Sequence, residues 1–187
     1  MTEKAQKYSK KEQIVWKSIG IFRKQGYFKT SIADLSEACG IHKAHFYYYF
    51  KDKEHLLEEC LTTVKKIFDK KIFILAYQEK PLKERLHEIE AAIKNIFLKY
   101  EGGCIMANSV LETAHYNPQF IPIIQSFFDA WMQALPHLYT EKYQPATALA
   151  KAEQAVQDIE GGIILMRLYK DDRFFLKALK RAKQVIY

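Results

Sequence analysis

The 187-residue sequence predicts an all-α protein of about nine helices. Only 7 glycines and 5 prolines interrupt it, and apolar residues recur at the three- and four-residue spacing of amphipathic helices. Residue types that favour helices, such as Lys, Glu, Leu, Ile and Ala, are common, whereas runs of β-branched residues are few. We therefore expect a helical chain without internal repeats or a low-complexity linker.

The first two expected helices lie close to the N-terminus. One apolar stripe defines the first helix over about residues 9–25, and Gly26 ends it, as a glycine just past the last periodic residue does. The second helix begins at Thr30 or Ser31, either of which can serve as its cap. Asp34 stands three residues after Ser31, in the position of a capping box.

A third short helix follows a glycine turn and contains five consecutive aromatic residues. Gly40 can adopt a left-handed conformation, which allows the chain to enter a helix over about residues 42–49. On that helix Phe46 and Phe50 share an inner face, while Tyr47 presents its hydroxyl outward. A strand would require an alternation that the neighbouring residues lack. Two short helices joined by a glycine turn form the helix-turn-helix pattern.

The positive charge of the chain is concentrated in this N-terminal region. Residues 1–55 hold 11 Lys and Arg against 6 Asp and Glu, a net charge of +5, whereas residues 56–187 hold 18 against 16, a net charge of +2. A basic domain ahead of a nearly neutral one indicates binding to a polyanion. Charge alone leaves open the alternative of a solvated basic surface.

Longer helices are expected beyond Asp52, which caps the fourth helix up to about Tyr77. Pro81 suits the first position of a fifth helix, and two glycines separate that helix from a sixth over about residues 104–115. The last three helices are expected from Asn117-Pro118 to near Pro136, from about Ala146 to Tyr169, and from Asp171-Asp172 to about Val185.

Membrane, secreted, metal-binding and catalytic classes find little support in the sequence. The longest apolar run has six residues, Ile72 to Tyr77, far short of the roughly 20 that a membrane-spanning helix needs. The charged N-terminal segment lacks an apolar signal core, and three widely spaced cysteines make no disulfide framework, so we expect a cytoplasmic protein. Cys39, His42 and His45 have the spacing of zinc ligands but no obvious fourth partner. We expect no metal, no cofactor and no catalytic residues, because no catalytic triad or phosphate-binding glycine loop is present.

Residues 26–57, GYFKTSIADLSEACGIHKAHFYYYFKDKEHLL, resemble the DNA-binding signature of the tetracycline-repressor (TetR) family of transcription regulators. The shared pattern is a glycine-aromatic pair, a Thr/Ser-capped helix, a glycine turn, a short recognition helix, then Tyr-x-x-Phe and Lys-Glu-x-Leu. The resemblance implies a three-helix DNA-binding domain, residues 1–53, followed by a larger helical domain for ligand binding and dimerisation, residues 54–187.

The resemblance implies DNA contacts at ten positions. Lys43, Ala44 and His45 occupy positions that face base edges in the major groove, and Tyr47 and Lys53 match residues that bind backbone phosphates. The N-terminus of the second helix matches another phosphate contact, since free amides favour an anion. The implied DNA-binding residues are Thr30, Ser31, Ala33, His42, Lys43, Ala44, His45, Tyr47, Tyr49 and Lys53.

Some of these positions depart from the family pattern. The segment from His42 to His45 stands where the family often has Ser-Lys-Gly-Thr, and His42 is a poorer helix cap than serine. Ala33 stands where an arginine is common, which removes one possible base or phosphate contact. We therefore expect the operator sequence to differ from that of relatives with the common residues.

A ligand pocket on the fifth to seventh helices is also implied by the resemblance. Bulky apolar groups with a few polar ones suit a small apolar or amphipathic effector, although each residue taken alone is better explained as core. Cys104 lies at the expected start of the sixth helix, where a lowered thiol pKa would make it a redox or electrophile sensor; a small buried residue is the alternative. The candidate ligand-binding residues are Phe97, Tyr100, Cys104, Met106, Asn108, Glu112, His115, Phe127, Phe128 and Trp131.

The last two expected helices resemble the four-helix dimer interface of the family. Gly161 and Gly162 lie inside an apolar helix, which costs stability unless another helix packs closely against them. We therefore expect a homodimer through these helices, whose two-fold symmetry suits a palindromic operator in double-stranded DNA. Packing within one chain is the alternative.

The function implied by the resemblance is a ligand-responsive transcription regulator, usually a repressor, that a small-molecule effector releases from its operator. Two alternatives remain open. A nonspecific DNA binder would show no preferred sequence, and a small-molecule carrier or enzyme would use the helical C-terminal domain without reading DNA.

Overall fold

The computed structural model describes residues 8–184, and nine α-helices with two short 3₁₀ helices make up the regular secondary structure of that range. This confirms the predicted all-α fold. The α-helices are α1 (Lys10–Gln25), α2 (Ile32–Cys39), α3 (Lys43–Tyr49), α4 (Lys53–Lys71), α5 (Leu82–Lys99), α6 (Ile105–Thr113), α7 (Ile121–Tyr139), α8 (Pro145–Tyr169) and α9 (Arg173–Gln184). The 3₁₀ helices are Phe73–Tyr77 and Pro118–Phe120.

Capping boxes begin the first two helices. In α2 the backbone N–H of Asp34 donates to the Ser31 hydroxyl at 3.2 Å, and the Ser31 N–H donates to the Asp34 carboxylate at 2.8 Å. Ser31 is therefore the cap. The hydroxyl of Thr30, the other candidate, is buried and donates to the Gly26 carbonyl at 2.6 Å, which closes the turn between α1 and α2.

The core of the N-terminal domain contains Phe46 and Phe50, as helical periodicity predicts. Phe22, Leu35, Phe46 and Phe50 are all at most 2% exposed, and they bring α1, α2 and α3 together. Gly40 ends α2 with φ at 64°, a left-handed conformation that glycine adopts without a steric cost. The turn that follows places α3 across α2 as a helix-turn-helix.

The fourth helix is shorter than predicted. It ends at Lys71 and not near Tyr77, because Ile72 leaves the helical conformation at φ −124° and the chain continues as a 3₁₀ helix. Packing explains the break, since Phe73 turns inward and its ring lies 5.6 Å from that of Phe68 and 5.7 Å from that of Phe127. A continuous α-helix would direct these side chains differently.

The seventh helix is longer than predicted, because it continues through Pro136 to Tyr139. A proline inside a helix loses the hydrogen bond of its own nitrogen. Two fully buried residues beyond it, Leu138 and Tyr139, outweigh that loss, and the Tyr139 hydroxyl donates to the Ala182 carbonyl of α9 at 2.8 Å. The predicted end of the ninth helix, Val185, lies outside the described residues.

The C-terminal helices surround a core of aromatic side chains, and α4 packs on both parts of the chain. Phe68 of α4 contacts Phe97 of α5 and Phe127 of α7. The same helix packs against α1 on its N-terminal side. Because α4 joins the two parts, the domain boundary at residues 53 and 54 stays a prediction.

An antiparallel hairpin of α8 and α9 closes the fold at Gly162. A Cβ placed there would lie 3.1 Å from the Phe174 carbonyl oxygen and from Ala178 Cβ of α9, so a larger residue would push α9 away by a few tenths of an ångström. The neighbouring Gly161 meets nothing within 4 Å and therefore faces away from α9. Of the two glycines, Gly162 therefore makes the close contact between α8 and α9 that the sequence predicts, and Gly161 does not.

Candidate nucleic-acid interface and the junction behind it

The helix α3 divides into a buried side and an exposed side. Phe46 is fully buried, whereas the four residues from His42 to His45 are all exposed. Tyr47 is 51% exposed and Tyr48 is 81% exposed, so both rings project from the protein surface. The side of α3 that faces solvent therefore presents cationic, imidazole and phenol groups.

The N-terminus of α3 lacks a side-chain cap. His42 occupies the cap position but makes no capping hydrogen bond, as expected for a residue that replaces serine. Its ring lies 6.0 Å from the ring of His45 in an edge-to-face arrangement. Two imidazoles thus lie side by side at the exposed start of the helix, where they can donate to bases or phosphates.

The start of α2 is less open to an anion than the sequence suggests. Thr30 is 1% exposed and uses its hydroxyl inside the turn, while Ser31 and Ala33 are exposed. The Asp34 carboxylate occupies the helix N-terminus, where hydrogen bonds from the backbone and hydroxyl of Ser31 lower the pKa of that carboxyl. Contact between this helix end and DNA stays a prediction, and the Thr30 side chain positions the turn.

Lys53 holds the turn between α1 and α2 in place. Its ammonium donates to the carbonyls of Tyr27 and Thr30, each at 2.9 Å, and lies 4.1 Å from the centre of the Tyr27 ring. Partial burial of this group lowers the pKa of Lys53. One N–H of the ammonium remains for a phosphate, so the predicted DNA contact and this internal role are compatible.

Tyr49 and Tyr27 complete this side of the domain. Tyr49 is half-buried, and the centre of its ring lies 4.9 Å from that of Tyr48 in an edge-to-face arrangement. This contact helps to fix the orientation of the exposed Tyr48 ring. The Tyr27 hydroxyl donates to the Glu54 carboxylate. Burial, followed by that carboxylate, raises the pKa of Tyr27 far above the ordinary value, so the phenol keeps its proton.

Glu112 of α6 connects the C-terminal helices to the DNA-binding domain. One oxygen of its carboxylate accepts the backbone N–H of Tyr27 at 2.8 Å and that of Phe28 at 3.1 Å. A Cβ on Gly26, which has φ at 83°, would collide with the same carboxylate. The turn after α1 is therefore shaped around Glu112.

A second set of hydrogen bonds fixes the end of α1. The Arg23 guanidinium donates to the Gly103 carbonyl at 2.9 Å, and the Arg23 carbonyl accepts from the Asn108 amide at 3.2 Å. The same amide donates to the Gly102 carbonyl at 2.8 Å, while its oxygen accepts from Arg167 of α8 at 3.1 Å. Asn108 thus joins α1, the turn before α6, and α8. The hydrogen bonds of Glu112 and Asn108 to the end of α1 and the turn after it form the junction between the two parts of the chain.

Comparison with known proteins identifies the family. Residues 17–60 match the family model described as bacterial regulatory proteins, tetR family, and residues 82–181 match the model described as the C-terminal domain of LmrA/YxaF-like transcriptional regulators. The chain belongs to the TetR family. The helix-turn-helix of this transcriptional regulator is accordingly a DNA-binding element.

Relatives and solved structures agree with that assignment. An uncharacterized HTH-type transcriptional regulator in the lacX 3′ region of Lactococcus lactis subsp. lactis is 31% identical over 178 residues, which cover 86% of this chain and 85% of the relative. YerO of Bacillus subtilis, also an uncharacterized HTH-type regulator, is 48% identical over 48 residues, 26% of this chain and 17% of its own.

Two crystal structures show the shared fold. A TetR transcriptional regulator from Legionella pneumophila superposes with a TM-score of 0.88 at 22% identity, covering 97% of this chain and 100% of its own. Reduced NemR of E. coli superposes with a TM-score of 0.80 at 14% identity, covering 96% and 98%. As in the sequence, the described part of this TetR-family chain includes no helix with the length and apolar character of a membrane span.

The ten candidate ligand-binding residues of this TetR-family chain are divided among the aromatic core, the contacts with the DNA-binding domain and the protein surface, and their binding of a ligand stays a prediction. Phe97, Met106, Phe127 and Trp131 are buried core, and Phe128 is half-buried with its ring stacked on that of Trp131. Asn108 and Glu112 belong to the junction just described, and His115 is exposed. A cavity of about 640 Å³ lies elsewhere, and its walls include Phe97 and Tyr100 but none of the other eight.

The hypothesis of a reactive Cys104 is wrong in its premise. The thiol is buried beside Glu160, and burial raises the pKa of Cys104 well above its ordinary value. Amides of Met106 and Ala107 at the start of α6 act in the opposite direction, but their effect is smaller than that of burial. Cys104 therefore fits the alternative of a small residue in tight packing.

The cysteine and histidines with zinc-like spacing are directed apart. Cys39 is buried with its sulfur 4.0 Å from the Ile14 carbonyl oxygen, whereas His42 and His45 point into solvent. Among the residues that the structure describes, no three His, Cys, Asp or Glu side chains form a group that could hold a metal ion.

Proposed function

We propose that this TetR-family protein is a ligand-responsive repressor that reads a palindromic operator and is released from it by a small-molecule effector. The observation that carries the proposal is the exposed side of α3, where His42, Lys43 and His45 stand clear of the core. Direct reading of bases requires donors that project from a helix narrow enough for the major groove, and α3 meets that requirement.

Each exposed group has a distinct expected role. Lys43 and His45 donate to base edges, so they determine sequence preference. Tyr47 and the spare N–H of Lys53 donate to phosphates, so they determine affinity and its dependence on salt. Tyr48 is the most exposed aromatic residue of α3 and is expected to contact the DNA backbone or an adjacent base.

A homodimer through α8 and α9 is part of the proposal. Along α8, Ile164 is 53% exposed and Leu168 is 68% exposed, and Leu176 of α9 is 36% exposed. An apolar strip of this kind on two adjacent helices favours burial against a second copy of itself. The resulting two-fold axis would place two copies of α3 for the two halves of a palindrome.

Release by an effector would act through the junction. Glu112 and Asn108 lie on α6, in the C-terminal part, and bind the turn and helix end that position α2 and α3. A ligand that shifts α6 would move both contacts and change the spacing of the two recognition helices, which is coupling between two sites. Such a regulator works in the cytoplasm, where the DNA is.

The test is selection from a random double-stranded DNA library at about 150 mM salt, where nonspecific binding is weak. Enrichment of a palindrome is expected. Lys43→Ala and His45→Ala should relax the preference at defined base pairs, whereas Lys66→Ala, an exposed lysine in the middle of α4, should bind as the parent does. Recovery of DNA without a preferred sequence would favour a nonspecific binder, and no recovery would favour a carrier or enzyme.

A further inference from the structure

The cavity of about 640 Å³ opens at the surface where the two parts of the chain meet. Its walls come from the end of α1, the end of α5, the Gly102–Gly103 turn and the end of α8. Of the ligand-binding residues expected on the fifth to seventh helices, only Phe97 and Tyr100 line it. We refer to it below as the junction cleft.

The rim of the junction cleft has an excess of positive charge. Lys24 is paired with Glu101 at 2.5 Å, which leaves Arg167, Lys170 and Asp172 as the other charged residues of the wall. In the described part of the chain, the partner found for the Arg167 guanidinium is the neutral amide oxygen of Asn108. Neither Arg167 nor Lys170 has an ion pair there, so both can bind an anion.

The rest of the wall is apolar and aromatic. Phe97 and Met166 are buried beneath it, while Leu98 is 42% exposed and Tyr100 is 50% exposed. A half-exposed leucine and tyrosine beside a cavity offer surface that a flat apolar group can cover. An apolar wall beside two cationic groups favours molecules that combine an apolar body with an anionic group.

We propose that the junction cleft binds a small amphipathic anion, a carboxylate or sulfonate attached to an apolar or aromatic body. The acid group binds Arg167 and Lys170, and the body covers Leu98 and Tyr100. The inference deepens the proposed function, and it rests on that function in one respect: the bound anion is taken to be the effector. Binding itself does not depend on DNA recognition.

The site is placed where a bound anion would act on the DNA-binding domain. Arg167 donates to Asn108, and Asn108 in turn holds the carbonyl of Arg23 at the end of α1. A ligand anion competes with the neutral Asn108 oxygen for the guanidinium, because a charged acceptor makes the stronger hydrogen bond. Occupancy therefore loosens the connection between α8, α6 and α1.

The test uses two fluorescent molecules with the same ring system. 8-Anilinonaphthalene-1-sulfonate carries the anion, and N-phenyl-1-naphthylamine is its uncharged analogue. Each is titrated into the free full-length protein, into the double variant Arg167→Gln/Lys170→Asn, and into the control Lys66→Gln. Glutamine keeps a donor for Asn108, and asparagine tolerates the left-handed conformation of Lys170, at φ 52°, so both substitutions suit the fold.

The sulfonate should bind saturably to the parent and the control. The double variant should bind it at least about tenfold more weakly, because two hydrogen bonds to an anion are lost. The uncharged analogue should bind the parent more weakly and should not distinguish the three proteins. Lys170→Asn alone, in an exposed turn, gives the same direction with a smaller loss should the double variant unfold.

Three results would overturn the inference: no saturable binding of the sulfonate, equal affinity in the parent and the double variant, or equal affinity for the uncharged analogue. Because the titrations contain no DNA, they are independent of the operator selection. A cleft that binds the sulfonate in a protein without operator preference would refute only the proposed function.

Discussion

Glu160 of α8 has both carboxylate oxygens enclosed by protein, and among the described residues neither oxygen has a hydrogen-bond partner. The polar neighbour of this group is the Cys104 thiol, which is a weak donor. Burial raises the pKa of Glu160 from 4.5 to about 7, because the charged form loses its hydration inside the protein. Replacing it by glutamine removes the ionisation and keeps the shape.

The magnitude follows from the difference between folded and unfolded chains. The folded state binds this proton more tightly, so the contribution of Glu160 is fully present below about pH 4.5 and falls as pH rises to about 7. Each tenfold change in proton affinity corresponds to about 1.4 kcal/mol, which makes the full loss about 3 kcal/mol. The stability of Glu160→Gln relative to the parent should therefore increase by about 2 kcal/mol between about pH 5 and pH 8.

Urea unfolding followed by circular dichroism, at one fixed protein concentration, measures that difference. Other titrating groups contribute equally to both proteins and cancel. Glu153→Gln, at an exposed carboxylate of the same helix, is the matched control and should show no pH-dependent difference. A constant difference between Glu160→Gln and the parent across this pH range would show that the carboxylate is hydrated or paired in solution, and the reasoning would fail.

The cap of α2, the buried thiol and the junction each give a further expected outcome. Ser31→Ala should lower the free energy of unfolding in urea by about 1 kcal/mol, and an unchanged value would contradict the capping role. Cys104 should react with Ellman's reagent only as fast as the protein opens, so a rapid thiol phase lost in Cys104→Ser would contradict its burial. Glu112→Ala should lower stability by about 2 kcal/mol in urea and weaken operator binding in fluorescence anisotropy, whereas Glu153→Ala should change neither.

The DNA-binding domain could be predicted from the sequence because its determinants are local. Ser31 and Asp34 are three residues apart, and Gly40 ends the helix they begin, so the hydrogen bonds of the cap follow from spacing. The division of the aromatic run into buried Phe46 and exposed Tyr47 likewise follows from helical periodicity. Such caps and helix faces can be predicted from a few neighbouring residues without information on the rest of the chain.

The C-terminal part was harder to predict because its geometry depends on distant residues. The break after Lys71 is made by contacts between Phe73 and α7, more than fifty residues further along the chain. Glu112 looked like a polar group in a ligand pocket, and its partners, the amides of Tyr27 and Phe28, are 85 and 84 residues away. Backbone amides leave no mark in side-chain patterns, so no spacing rule could have paired them with this carboxylate.

The backbone of Tyr27 connects two residues for which the sequence analysis predicts separate roles, Glu112 as a ligand contact and Lys53 as a DNA contact. Its N–H donates to Glu112 of α6, and its carbonyl accepts from Lys53 at the start of α4. Lys53 also holds the Thr30 carbonyl, immediately before the cap of α2. Three hydrogen bonds, with the Tyr27 backbone and the Lys53 ammonium between them, therefore connect α6 to the start of α2 without involving the length of α4. Because the third N–H of Lys53 remains for the predicted phosphate contact, one ammonium group would connect the turn, and through Tyr27 and Glu112 also α6, to the DNA backbone.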